Sequence, residues 1–86
     1  MNPPEVTIYS GNRCAYCNAA KRILDSKGIN YTDINVDEDP DLRNEMVERT
    51  NRKTVPQIFI GDEHVGGFDA LSELNHEGKL DKLLKV

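Results

Sequence analysis

The chain has only two cysteines, Cys14 and Cys17, and they stand two residues apart in the stretch NRCAYCNAAKRIL, Asn12 to Leu24. Three chemistries use that spacing. The pair can supply two of the four ligands of a tetrahedral zinc site. It can pack as small, inert hydrophobes. It can also cycle between dithiol and disulfide. Zinc would need two further ligands, and the only histidines, His64 and His76, lie about a dozen residues apart, outside the spacing of a histidine ligand pair. Polar neighbours and a place in a strand-to-helix turn argue that the two thiols are exposed rather than packed away. The redox reading explains more. Cys14 falls where a helix is predicted to begin, and there unpaired N–H groups and the helix dipole favour an anion. Thiolate is the nucleophilic form of cysteine, and Arg13 adds positive charge next to it. Cys17 lies one turn deeper, within reach of a mixed disulfide formed on Cys14. Tyr16, between them, either walls a small-molecule pocket or packs partly at the helix start.

Elements on either side must hold this pair in place. Glu5 to Ser10 alternates and is rich in β-formers, which predicts a first strand. Gly11 and Asn12 break it. From Ala15 to Lys27 the apolar residues Ala20, Ile23 and Leu24 recur at helical spacing, and Gly28 supplies a stop. Ile29 to Val36 reads as a second strand, parallel to the first through a right-handed crossover. Asp39 caps a second helix over Pro40 to Thr50, with proline at its first position and Leu42, Met46 and Val47 as its apolar stripe. The stretch VPQIFIGDEHVGG predicts a short buried strand, a turn at Gly61–Asp62 and a strand at His64–Val65. Pro56 is tolerable as the first residue of that strand. Short helices follow over Asp69 to Asn75 and Lys79 to Leu84. The order predicts an α/β fold: a four-stranded mixed sheet, strand one central, with helices on both faces.

At 86 residues the chain is expected to be a single domain, 1–86. Its net charge of −4, with Lys and Arg scattered, argues against nucleic acid as a partner. Met1 to Glu5 lacks the basic and apolar regions of a signal peptide, and no apolar run approaches the roughly 20 residues of a membrane span. A cytoplasmic protein with no membrane partner is therefore expected. In that reducing compartment a lasting structural disulfide is not.

Taken together, Cys14-Ala15-Tyr16-Cys17 after a strand, then Thr54-Val55-Pro56, then Gly66-Gly67-Phe68-Asp69, resemble the glutaredoxin family in order and spacing. KTVPQIFIGDEHVGG is similar to the short bacterial dithiol members in particular, and the resemblance runs from about Val6 to Leu84. It implies a thioredoxin-like fold and a glutathione-dependent thiol–disulfide oxidoreductase, with Cys14 as nucleophile and Cys17 as resolving thiol. Pro56 would be the family's cis-proline, presenting the Val55 backbone to the cysteinyl part of glutathione. Gly66 and Gly67 would permit close backbone approach, the N–H groups of a helix begun by Phe68 and Asp69 would receive the γ-glutamyl carboxylate, and the Asp69 side chain its ammonium. Outside the family, Asp69 reads as a helix cap. Arg43 and Lys53 would meet the glycine carboxylate, with Arg13, Tyr16 and Thr54 completing the site.

The sequence departs from the family at three places. Ala15 stands where proline is common, Gly11 where a basic residue often lies three positions before the nucleophile, and Ala70 where a second acidic residue is frequent. Glutathione is the expected cosubstrate, glutathionylated proteins and disulfide-containing reductases the expected protein partners, and a monomer the default. No tightly bound metal is expected. Two other readings compete: a thioredoxin-like reductant fed by a flavoprotein reductase, and a carrier in which two chains share a glutathione-ligated [2Fe–2S] cluster through Cys14.

Overall fold

The computed structural model describes residues 4–86. The elements are β1 (Val6–Ser10), α1 (Ala15–Ser26), β2 (Thr32–Asn35), α2 (Pro40–Thr50), β3 (Gln57–Ile60), β4 (Glu63–Gly66), α3 (Phe68–His76) and α4 (Lys79–Leu84). They build one sheet in the order β2-β1-β3-β4. Strand β1 runs parallel to β2 and antiparallel to β3, and β3 pairs antiparallel with β4. This is the expected mixed four-stranded sheet with β1 inside it, and the fold is thioredoxin-like.

The period-2 geometry of β1 divides the core in two. Val6 and Ile8 point to one face, where they join Ala20 and Leu24 of α1, Ile58 and Ile60 of β3, Leu71 of α3, and Leu80 and Leu84 of α4. Tyr9 points to the other face and packs with Val36, Met46 of α2 and Phe59. Each fully buried leucine or isoleucine in such a layer stabilises the fold by roughly 1.5–3 kcal/mol relative to leaving it exposed. Covering both faces also explains why all four residues of β3 are buried rather than alternating.

Local signals set the element ends. Cys14 has extended backbone and caps α1, and Gly28 follows that helix in the left-handed region at φ +68. Asp39 caps α2 by accepting from the Asp41 N–H at 2.9 Å, with Pro40 in the first turn. Strand β2 is shorter than the expected Ile29 to Val36, because its pairing with β1 runs only from Thr7–Thr32 to Ser10–Asn35. Ile29 and Tyr31 instead pack against the core from outside the strand. The β3–β4 register shifts between Ile58, opposite Gly66, and Phe59, opposite His64, leaving Val65 as the extra residue of a bulge.

Candidate active site

Cys14 and Cys17 form a disulfide, with Cα atoms 5.2 Å apart. The pair is unequal. Cys14 is half-buried at the amino-terminal cap of α1, whereas Cys17 is 1% exposed. The expectation of two exposed thiols therefore fails for Cys17. One turn into α1, it shares the buried face with Ala20 and Leu24, at the i, i+3, i+7 spacing of a core-facing stripe. The main-chain N–H of Cys17 donates to Cys14 Sγ at 3.1 Å. On its other side Cys14 Sγ lies 3.9 Å from the Val55 carbonyl oxygen, and the Val55–Pro56 peptide bond is cis.

Beside this pair opens a cavity of about 380 Å³. Of the residues expected at the site, Tyr16, Thr54, Val55, Pro56, Gly67, Phe68 and Asp69 line it. Tyr16, 64% exposed, reaches over to the start of α3, where its ring lies 5.6 Å from that of Phe68. The two aromatics bridge the amino termini of α1 and α3. Gly67 is the cap residue of α3, and no side chain bonds the first N–H groups of that helix. Asp69 is thus not the cap that it resembles in isolation; it sits exposed in the first turn. Gly66 enters this turn at φ +120, and a Cβ there would lie 3.2 Å from Ala70 Cβ. That conformation belongs to glycine.

Arg13, Arg43 and Lys53 stand outside the lining of the cavity. Arg13 is exposed, with its backbone in the left-handed region at φ 54. The Arg43 guanidinium pairs with Asp37 Oδ1 at 2.8 Å and donates to the Lys53 carbonyl oxygen at 3.0 Å. Asp37 also accepts from the Asn12 N–H at 2.7 Å. That backbone bond, with Arg43 second, holds the Asp37 carboxyl below its ordinary range. A Cβ at Gly11 would fall 2.8 Å from Asp37 Oδ2, so Asp37 occupies the space beside Gly11.

Two lining residues were not anticipated, Arg52 and Gln57, and Ala70, noted above as a departure from the family, lines the cavity as well. Arg52 brings the cavity's cation. Among the described residues no three histidine, cysteine, aspartate or glutamate side chains are gathered as a metal site. Nor is any described helix long and apolar enough to cross a membrane.

The arrangement joins a redox-active cysteine pair to a cleft of mixed polar and apolar lining, and comparison with known proteins gives the same frame. A family model described as glutaredoxin matches residues 6–65. Glutaredoxin 3 of Escherichia coli (strain K12) is 46% identical over 80 residues, which span 93% of this chain and 96% of that protein. The solution structure of a glutaredoxin from Brucella melitensis superposes with a TM-score of 0.87 at 49% identity, covering 99% of this chain and 92% of that one. A buckwheat glutaredoxin, solved as a complex with glutathione, superposes with a TM-score of 0.86 at 32% identity, covering 95% of this chain and 77% of that one. With the cysteine pair at the head of α1 and this fold around it, the chain belongs to the glutaredoxin family of thiol–disulfide oxidoreductases.

Proposed function

We propose that this oxidoreductase takes its electrons from glutathione and reduces glutathionylated proteins and protein disulfides. The observation that carries this reading is the cavity beside Cys14, which offers different chemistry at different points. The Val55 backbone, next to Cys14 Sγ, suits the extended cysteinyl segment of a peptide. The uncapped start of α3 at Gly67 and Phe68 suits a carboxylate, with Arg52 near it, its Nη1 3.8 Å from where a Gly66 Cβ would lie. Asp69 suits an ammonium. An α-carboxylate and α-ammonium next to a cysteinyl peptide is the γ-glutamyl end of glutathione. Its glycine carboxylate is left to the cations beyond the lining, Arg43, Lys53 and Arg13. The buckwheat glutaredoxin bound to glutathione supports the reading by likeness.

In the monothiol route, Cys14 thiolate attacks the glutathione sulfur of a mixed disulfide. A Cys14–glutathione disulfide forms and the protein leaves as thiolate, which takes a proton. A second glutathione thiolate attacks the bound glutathione sulfur, so that glutathione disulfide departs and Cys14 thiolate returns. In the dithiol route Cys14 first attacks a protein disulfide. Cys17 then displaces the protein thiolate, giving the Cys14–Cys17 disulfide present in this structure. Burial of Cys17 makes Cys14 the sulfur that an incoming glutathione attacks, with Cys17 leaving. We place the protein in the cytoplasm as a monomer.

The test is Cys17→Ser, assayed for glutathione-dependent deglutathionylation of a peptide coupled to glutathione reductase. Sustained turnover is expected, together with loss of protein disulfide reduction. A silent variant beside an active wild type would leave only the dithiol route. A silent wild type that accepts electrons from a flavoprotein reductase would replace this reading with the thioredoxin-like one.

A further inference from the structure

Gln57 is a polar side chain only 1% exposed, at the first position of β3, and it lines the cavity. A buried amide must have partners for both ends. Its Nε2 donates to the Thr54 carbonyl oxygen at 3.0 Å and meets Thr54 Oγ1 at 3.3 Å. Its Oε1 lies 2.7 Å from His64 Nε2. These contacts fix more than the amide. The Thr54 carbonyl can only accept, so the amide nitrogen faces it and the amide oxygen faces His64. An oxygen there requires a proton on Nε2, and that selects one tautomer of the neutral imidazole.

His64 is itself held on its ring face. It stacks on Phe59 with centroids 5.0 Å apart and planes 28° from parallel. The Arg49 guanidinium of α2 lies over the same Phe59 ring, its carbon 3.9 Å from the centroid. The bulge at Val65 is what sets His64 opposite Phe59 in the register. Burial lowers the His64 imidazole below its ordinary range, and Arg52 and Arg49 add to that effect. A neutral ring that donates from Nε2 is therefore the form that fits.

We propose that His64 is a positioning residue for the Thr54–Pro56 turn, acting through the Gln57 amide to hold the Val55 backbone against Cys14. This deepens the glutathione reading and rests on it, because the turn is the edge on which the cysteinyl segment would lie. Without the His64 donor the buried Gln57 amide oxygen loses its partner, and the amide is held to Thr54 from its nitrogen end alone.

The experiment is a double-mutant cycle of His64→Phe, which keeps the ring on Phe59, and Gln57→Met, which keeps volume, with His64→Gln as the conservative rescue. Each variant is first checked for an intact thermal transition at pH 7.5. For deglutathionylation of a peptide, kcat/KM is expected to fall about fivefold in each single variant, the size of one lost hydrogen bond. The double variant should fall no further, and His64→Gln should recover most of the loss. In the same wild-type sample, nitrogen-15 NMR of the imidazole is expected to show the Nε2–H tautomer. Losses that multiply in the double variant overturn the proposal, as does a His64→Phe enzyme within twofold of wild type. The Nδ1–H tautomer overturns it independently of activity. If wild type has no glutathione activity, the glutathione reading falls and the tautomer still decides whether His64 orients Gln57.

Discussion

The N–H of Cys17 donates to the sulfur of Cys14 at 3.1 Å, while the sulfur of Cys17 itself is closed off from solvent. One residue thus supplies both the donor that steadies negative charge on the nucleophile and the protected partner that follows it. The asymmetry arises because Cys14 caps α1 and Cys17 faces inward from its first turn.

It sets an order of reactivity. In the reduced protein, limiting iodoacetamide at neutral pH is expected to alkylate Cys14 at least about tenfold faster than Cys17, since reaction follows thiolate character and access. Peptide mapping reads the ratio directly. Equal labelling would mean that Cys17 is reachable and that the head of α1 does not distinguish the two.

A second expectation concerns Gly11, where family relatives often carry a basic side chain. A Cβ there would meet Asp37 Oδ2 at 2.8 Å and Val55 Cγ2 at 3.3 Å. Asp37 cannot swing aside freely, because it holds the Asn12 N–H and Arg43. Gly11→Ala is therefore expected to destabilise the fold by about 1–3 kcal/mol, the usual cost of overpacking. In an Asp37→Ala background most of that penalty should vanish. Urea unfolding of the four proteins gives the coupling, and strict additivity would show that Asp37 is not the obstacle.

Much of this was readable from the chain because local chemistry and tertiary role agreed. Asp39 before Pro40, Gly28 after α1, and the Gly61–Asp62 turn each carry a backbone requirement that survives folding. The misreadings came where two distant segments meet. Polar Asn18 beside Cys17 suggested exposure, yet the spacing from Cys17 to Ala20 and Leu24 was the better signal. Nothing in the order of residues pairs Gly11 with Asp37, or shows that a bulge at Val65 turns His64 toward Gln57. Arg43 and Lys53, expected by position to meet the glycine carboxylate, stand outside the cavity's lining, and the lining itself carries a further cation, Arg52.

That distinction can be measured. Arg52→Gln is expected to lower kcat/KM for a glutathionylated peptide about tenfold, mainly through KM, since a charge-assisted contact to a carboxylate is among the stronger hydrogen bonds. Lys53→Gln should cost clearly less. With dithiothreitol in place of glutathione and a small disulfide lacking carboxylates as substrate, the same pair should differ little from wild type. A larger loss at Lys53 than at Arg52 would make the glycine carboxylate, outside the cavity, the stronger contact and overturn the role given to Arg52.

The last expectation follows from His64 in the folded chain. Burial disfavours its charged form, and the positive charges of Arg52 and Arg49 act in the same direction. The carboxylates that share its groove, Glu63, Glu73 and Glu77, do not reverse that direction. An imidazole whose folded pKa is depressed binds its proton more readily in the unfolded chain. Its contribution to stability is therefore complete above the ordinary value of 6.5, is lost progressively as pH falls below it, and stops changing once the folded group is also protonated. Asp37 acts in a separate, lower window, below its ordinary value of 3.8. The thermal midpoint of wild type is thus expected to drop between pH 7.5 and 5, and His64→Phe should remove much of that slope while leaving the loss below pH 4 in place. Parallel curves for the two proteins from pH 7.5 to 5 would show that the acid sensitivity in this range arises elsewhere than at His64.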